Sequence, residues 1–348
     1  MEFVDLRSDT VTKPTQAMRA AMAAAEVGDD VYREDTTVNR LQEMAAERMG
    51  KEAGLFVPSG TMGNLAAVLA HCGRGDEVIL GNLGHTFLFE AGGIAALGGV
   101  ASYVLPTLPD GTLLVADIRA AIRSDDVHNP VTRLITLENT HNRCGGVPLS
   151  AAYTDEVGQL AHAHGLSLHL DGARIFNAAA ALKTPAARLV QAADSVTFCL
   201  SKALCAPVGS VLCGSHAFIE RARRIRKQLG GGMRQAGVLA AAGIIALDHM
   251  VDRLEEDHCR AQRLARGLGE IAGLLLENAA PPTNMVFARL ADDLPFTASQ
   301  VAARLKEQGV LVGAVGERRF RLVTHHGINE EGVERAFTAF RCVLAPVH

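Results

Sequence analysis

Ser195-Val196-Thr197-Phe198-Cys199-Leu200-Ser201-Lys202 reads as a buried strand that delivers a lysine at its mouth. Lysines ordinarily sit on solvated helix faces. One placed here loses hydration and presents a neutral amine, the form that condenses with a carbonyl to make a Schiff base. Similar short apolar runs lie on either side, at 53–57, 77–81, 101–105, 133–138, 167–171 and 210–213. Helical periodicity falls between them, at 37–49, 61–71, 90–97, 116–122, 154–164 and 186–192. Strands alternating with helices predict a three-layer α/β domain around a mainly parallel seven-stranded sheet.

The alternation stops near Gly214. A basic helix over 216–229 follows, then Gly230-Gly231-Gly232 and a long helical stretch from 234 to beyond 268. Strands at 284–290 and 320–324, with helices at 297–308 and 330–343, predict a smaller α+β C-terminal domain. Ahead of the sheet, 15–25 reads as a helix with Met18, Ala21, Met22 and Ala25 on one face. The predicted divisions are an N-terminal segment 1–14 that contributes to the active site, a large domain 15–250 and a small domain 251–348.

Composition narrows the class. The 348 residues carry 34 Lys and Arg against 38 Asp and Glu, a net charge of −4, which argues against a nucleic-acid binder. With 48% hydrophobic residues the chain can fill a core rather than remain disordered. Seven scattered cysteines without a CxxC pair do not make a disulfide framework. Charged residues begin at Asp5, Arg7 and Asp9, and no apolar stretch reaches membrane-spanning length, so the expectation is a cytoplasmic protein.

Neither GxGxxG, GxxxxGK[ST] nor HExxH occurs, and the histidine spacings do not suggest a catalytic metal. Four other pieces sit at strand ends or helix starts. Pro58-Ser59-Gly60-Thr61 opens an apolar helix, where free N–H groups make a phosphate cradle, although Ser59 or Thr61 also suits an ordinary N-cap. Asp171 closes the strand of His169-Leu170-Asp171-Gly172-Ala173-Arg174 on the edge where open α/β sheets bind ligands. His85 follows the strand 77–81 in a loop, and Lys202 is the fourth piece. Together they are the parts that hold pyridoxal 5'-phosphate: an anion cradle, a flat ring for stacking, a carboxylate for the pyridine nitrogen and an amine for the aldehyde.

Longer motifs carry a family resemblance. They are Asp5-Leu6-Arg7-Ser8-Asp9-Thr10-Val11-Thr12, Val27-Gly28-Asp29-Asp30-Val31-Tyr32, Pro58-Ser59-Gly60-Thr61, and His85 with Glu90-Ala91-Gly92-Gly93. Further along come Leu137-Glu138-Asn139-Thr140-His141-Asn142, His169 to Asn177, Cys199-Leu200-Ser201-Lys202, Gly230-Gly231-Gly232-Met233-Arg234-Gln235, and Arg321-Leu322-Val323-Thr324-His325. In this order they resemble the low-specificity L-threonine aldolases, pyridoxal-phosphate enzymes of the aspartate-aminotransferase fold type.

The resemblance implies retro-aldol cleavage of L-threonine, L-allo-threonine and related L-β-hydroxy-α-amino acids to glycine and an aldehyde. It implies Lys202 as the Schiff-base lysine, Asp171 beside the pyridine nitrogen and His85 stacked on the ring. Ser59, Gly60, Thr61 and Ser201 would meet the phosphate, with Arg174 also near the cofactor and Lys227 and Arg234 reaching it from a neighbouring subunit. Ser8, Tyr32, His128, Arg174 and Arg321 would face the substrate, and His85 and His128 are both candidates for the base. The partners implied are a small amino-acid substrate and further copies of the chain, in a homotetramer of two dimers with active sites at the subunit interface. A different lyase reaction on the same cofactor, β-elimination or cleavage of a bulkier substrate such as phenylserine, is the alternative. Departures from the family pattern include Arg33 and Cys205, each standing where glycine is usual, Ala203 in the lysine turn, and Cys144.

Overall fold

Every residue of Ser195–Cys199 and of Ser210–Gly214 is buried, so both faces of their sheet are covered and neither strand shows the alternation of a half-exposed one. They are interior strands of a seven-stranded sheet in a computed structural model that describes residues 3–345. In chain order its strands are β1 (Ala53–Val57), β2 (Asp76–Gly81), β3 (Ala101–Leu105), β4 (Val131–Glu138), β5 (Ser167–Asp171), β6 (Ser195–Cys199) and β7 (Ser210–Gly214). The spatial order is β1-β7-β6-β5-β4-β2-β3. Six strands run parallel to one another, and β7 alone is antiparallel, to both β1 and β6. The mainly parallel seven-stranded sheet expected from the alternating pattern is present.

Contacts divide the chain into two units. One is Lys13–Val251, which holds this sheet; the other joins the chain up to Thr12 with the chain from Asp252 onward. In the second unit Val4–Asp5 pairs in parallel with Val310–Leu311. A separate four-stranded antiparallel sheet orders Gly313–Ala314, Arg319–Val323, Met285–Leu290 and Leu274–Leu276. The helices Leu254–Gly269, Ala298–Glu307 and Glu330–Leu344 cover it, with Leu264, Leu268, Val301, Phe320 and Phe340 in the core between them.

Several elements differ from their sequence reading. The long helix from 234 ends at His249 and a new one starts at Leu254, with a turn between. The helix expected over 90–97 shrinks to Gly93–Ala96, because Ala91 (φ 52°) and Gly92 (φ 67°) are left-handed and cannot continue a right-handed turn. A helix at Ile175–Leu182, Ile-Phe-Asn followed by four alanines and a leucine, adds to those read from the sequence. In the first helix, Gln16–Ala23, only Met18 is buried.

The sheet's outer helix is tied down by charge. Arg226, on His216–Gln228, donates to Asp30 Oδ2 at 2.6 Å and to the Phe56 carbonyl of β1 at 2.7 Å, and both charged side chains are essentially out of water. Asp35 caps Thr36–Met49 through Val38 N (2.9 Å) and accepts from Gly237 N at 2.8 Å, joining that helix to the start of Gly237–His249. Removing one partner of a buried pair leaves the other uncompensated. Arg226→Met is therefore expected to lower stability by about 3–5 kcal/mol in urea unfolding; a loss under ~1 kcal/mol would mean that Asp30 is solvated.

Candidate active site

Because β1, β2, β4, β5 and β6 are parallel, their C-terminal ends share one edge, where the chain passes to Ser59, His85, Glu138, Asp171 and Lys202 respectively. Register aligns Glu138 of β4 with Asp171 of β5 and Asp171 with Thr197 of β6. The pleat puts His169 and Asp171, two residues apart, on the same face. Against that face lies the helix Gly60–His71, whose Gly63 approaches so closely that a Cβ there would stand 2.6 Å from Thr197 Cγ2. Only glycine allows this approach, and it brings Asn64 down onto the sheet.

Asn64 is the centre of the polar group. Its Nδ2 donates to Asp171 Oδ2 and to Glu90 Oε1, each at 2.8 Å. Its Oδ1 lies 3.3 Å from His169 Nε2. An amide oxygen only accepts, so His169 carries its proton on Nε2 and its Nδ1 accepts from the Ser195 hydroxyl, 2.9 Å away. With its one hydrogen used, that hydroxyl accepts from His71 Nε2 at 2.8 Å. His71 stacks on Phe218 with ring centroids 4.5 Å apart. Burial pushes His169 down to about 4 and His71 down to about 3, the latter helped by its neighbour His169, so the chain of bonds is built from neutral rings.

On the other side, Glu90 Oε1 lies 2.9 Å from His85 Nδ1. His85, Glu90 and Asp171 each place a polar atom within 4.8 Å of the others. Burial opposes charge on His85, but the Glu90 hydrogen bond and the Asp171 and Glu90 charges outweigh it and raise the imidazole above its ordinary value; Lys202 works against them. Burial, joined by the Asp171 charge, also lifts Glu90. Glu138 holds the His85 loop by accepting from His85 N (2.6 Å) and Asn142 N (2.9 Å). The Phe89 ring packs on His85 at 5.7 Å between centroids.

Lys202 is half-buried, in a turn closed by Cys205 N to the Lys202 carbonyl (2.9 Å) and Ala206 N to the Leu200 carbonyl (3.1 Å). Cys205 is fully buried at φ 65°, a left-handed conformation that costs a residue with a Cβ about 1–2 kcal/mol. Arg33 is left-handed as well, at φ 63°. Both are positions where the family pattern has glycine, so the departures keep the backbone shape that glycine adopts freely. Ser59 is the N-cap of Gly60–His71, accepting from Met62 N, which leaves its hydroxyl hydrogen and the first N–H groups of the helix for an anion. Arg174 is buried at the start of Ile175–Leu182, and Ser201 adjoins Lys202.

Other candidates lie elsewhere within the chain. His128 precedes β4, on the opposite sheet edge, and β4 alone is roughly 25 Å long. Its side chain is 87% exposed and bonded to Asp126 at 2.7 Å. Arg234 pairs with Asp29 (3.0 Å), and its carbonyl accepts from Asp30 N; Tyr32 and Lys227 are exposed. In the second unit Ser8 caps a short turn through Thr10 N, and Arg321 donates to the Arg7 carbonyl at 3.3 Å. Asn64, Glu90, Glu138 and His169 received no role from sequence reasoning. Glu90, Glu138 and His169 all lie inside the motifs that carry the family resemblance, and His169 also stands two residues from Asp171.

The donor set suits pyridoxal phosphate: an oriented carboxylate, an imidazole, a turn-borne lysine and a helix N-terminus share one edge. A model of the beta-eliminating lyase family matches residues 5–292. The chain is 53% identical to a probable low-specificity L-threonine aldolase 2 of Arabidopsis thaliana over 98% of its length and 97% of that protein's. It is 46% identical to the low specificity L-threonine aldolase of Escherichia coli K12, over 99% and 100%. The threonine aldolase structure from Leishmania major superposes with a TM-score of 0.83 at 23% identity, over 98% and 99%.

His71 and His169 take up protons in the unfolded chain near pH 6.5 but only near 3 and 4 when folded, so stability falls as pH drops from about 6.5 toward 4. Urea midpoints between pH 7 and 4.5 should show this fall, and His71→Gln should remove about one proton from its slope. An unchanged slope would show that His71 is not held neutral.

Proposed function

The chain belongs to the threonine aldolase family, and from that membership we propose that it cleaves L-threonine, L-allo-threonine and related L-β-hydroxy-α-amino acids between Cα and Cβ, releasing glycine and an aldehyde, with pyridoxal 5'-phosphate as cofactor. The observation that carries this reading is Asp171, a buried carboxylate oriented by Asn64 on the sheet edge that also bears His85, Lys202 and the Gly60–His71 N-terminus.

When bound, the cofactor supplies an electron sink for the pair left on Cα. Lys202 would hold it covalently, Asp171 would meet its ring nitrogen and His85 its ring face. Ser59, Gly60, Thr61 and Ser201 would take its phosphate, with Arg174 close by. Arg174, Ser8 and Arg321 are assigned to the substrate carboxylate and Tyr32 to the substrate side, on the family pattern. Charge-assisted hydrogen bonds from the arginines would fix which Cα bond stands perpendicular to the ring. A base must remove the β-hydroxyl proton as the bond breaks. His85 stands at the edge for that role, whereas His128 would have to come from another copy of the chain. The proposed assembly is a cytoplasmic homotetramer in which Lys227 and Arg234 serve a neighbouring site. Supporting it, Phe87, Leu88, Phe89 and Leu97 are 39–60% exposed beside the His85 edge, an apolar face that a second copy would cover. No helix among the described residues is long and apolar enough to cross a membrane.

The matched family model favours one rival, β-elimination. The products decide between them. The purified protein with cofactor should turn L-threonine and L-allo-threonine into equal amounts of glycine and acetaldehyde, without ammonia. Ammonia with a 2-oxo acid, and no aldehyde, would establish the rival. Lys202→Ala should cut turnover by more than about a thousandfold, ~4 kcal/mol of barrier, and Asp171→Ala should lose activity even with cofactor bound. Retention of most activity by either variant would remove the role given to that residue.

A further inference from the structure

Glu90 has no part in the reaction as set out above, yet it is buried and aimed at His85. Its Oε1 sits 2.9 Å from His85 Nδ1 and 2.8 Å from Asn64 Nδ2. Asn64 spends one amide hydrogen here and the other on Asp171 Oδ2. A carboxylate oxygen facing Nδ1 accepts, so Nδ1 is the protonated ring nitrogen and Nε2 keeps its lone pair. Meanwhile Glu138 fixes the His85 backbone, and Phe89 packs on the ring. Glu90 Oε2 is buried with no hydrogen-bond partner among the described residues. A carboxylate retained only for packing would bond through both oxygens or be replaced by an apolar side chain, because an unmet buried acceptor is costly.

Resting on the aldolase reading, we propose that Glu90 is a positioning residue that holds His85 as its Nδ1–H tautomer and makes Nε2 the base for the substrate's β-hydroxyl proton. In the step, the O–H bond breaks as the Nε2–H bond forms, and the freed pair becomes the second bond of the aldehyde carbonyl. The Cα–Cβ bond breaks, leaving its pair on the glycine fragment, and the proton on His85 is later returned to Cα. Glu90 balances the imidazolium that exists between these events, and Asp171 adds to its field. Lys202 opposes it, and Glu138 faces the His85 backbone rather than its ring.

The test follows the reaction of His85 with diethyl pyrocarbonate in the holoenzyme, resolved by peptide mass spectrometry across pH 5 to 8.5, alongside kcat/KM for L-allo-threonine. In the native protein the half-reactive pH of His85 should lie above the ordinary imidazole value of about 6.5. Glu90→Gln should lower it, because the charged hydrogen-bond acceptor is lost and Asp171 alone is left to oppose burial. The acid limb of kcat/KM should move by the same amount, and Glu90→Asp, which keeps the charge, should restore most of the shift. In a His85→Asn background Glu90→Gln should cost nothing further. A native half-reactive pH at or below the ordinary value, or one that Glu90→Gln leaves in place, overturns the proposal. If Glu90→Gln fails to fold, the native titration alone decides. If the native protein releases no aldehyde, the aldolase reading falls, while the His85 titration still settles the Glu90 contact.

Discussion

The Asn64 amide gives two hydrogens to two carboxylates and one oxygen to an imidazole, all of them buried. Water cannot rescue any of these groups, so each bond is worth most when the others are made, and a half-satisfied network would cost more than an apolar core. The polarity of that amide runs outward in both directions. It makes His169 and His71 donors through Nε2, and it leaves Asp171 and Glu90 as acceptors with fixed orientations. Two carboxylates brought this close would repel; shared donors from one amide and the proton on His85 offset that repulsion.

The backbone is shaped to bring that amide into place. Ser59 starts the helix, Gly63 lets it touch Thr197, and Asn64 then reaches β5 without a gap. The anion cradle and the anchoring of Asp171 are therefore two ends of one helix turn. Beside Gly60–His71, Arg226 and Asp30 fix the helix His216–Gln228 to β1. On the reactive edge, Glu138 and the hydrogen-bonded Lys202 turn restrict the two loops that carry His85 and the lysine. Substrate-positioning groups need this kind of support, since small displacements of a base or an amine cost orders of magnitude in rate.

The sheet and its reactive lysine were legible in the sequence because short buried strands between helices leave a clear pattern, and a lysine or aspartate at a strand end stands out against it. Asn64 and Glu90 were not. Glu90 looks like a loop acid even though His85 stands only five residues before it, and Asn64 looks like any polar residue in a helix start because its two carboxylate partners lie 26 and 107 residues away. Glu138 was hidden for the same reason. A helix boundary failed where the left-handed Ala91 broke a plausible run, and the short helix Ile175–Leu182 lies in a stretch for which the sequence reading gave only a motif. The departures from the family pattern took their meaning only from backbone angles: Arg33 and Cys205 adopt the shape expected of the glycines they replace.

The most direct test of this account is the protonation state of His169, read from 15N spectra of the holoenzyme labelled at histidine nitrogens. If the Asn64 amide is oriented by its two carboxylates, His169 is neutral and carries its hydrogen on Nε2 throughout pH 5 to 8, in keeping with its depressed value of about 4. An Nδ1–H tautomer or an imidazolium in that range would mean that Asn64 turns its oxygen elsewhere, and the arrangement of Asp171 and Glu90 described here would be wrong.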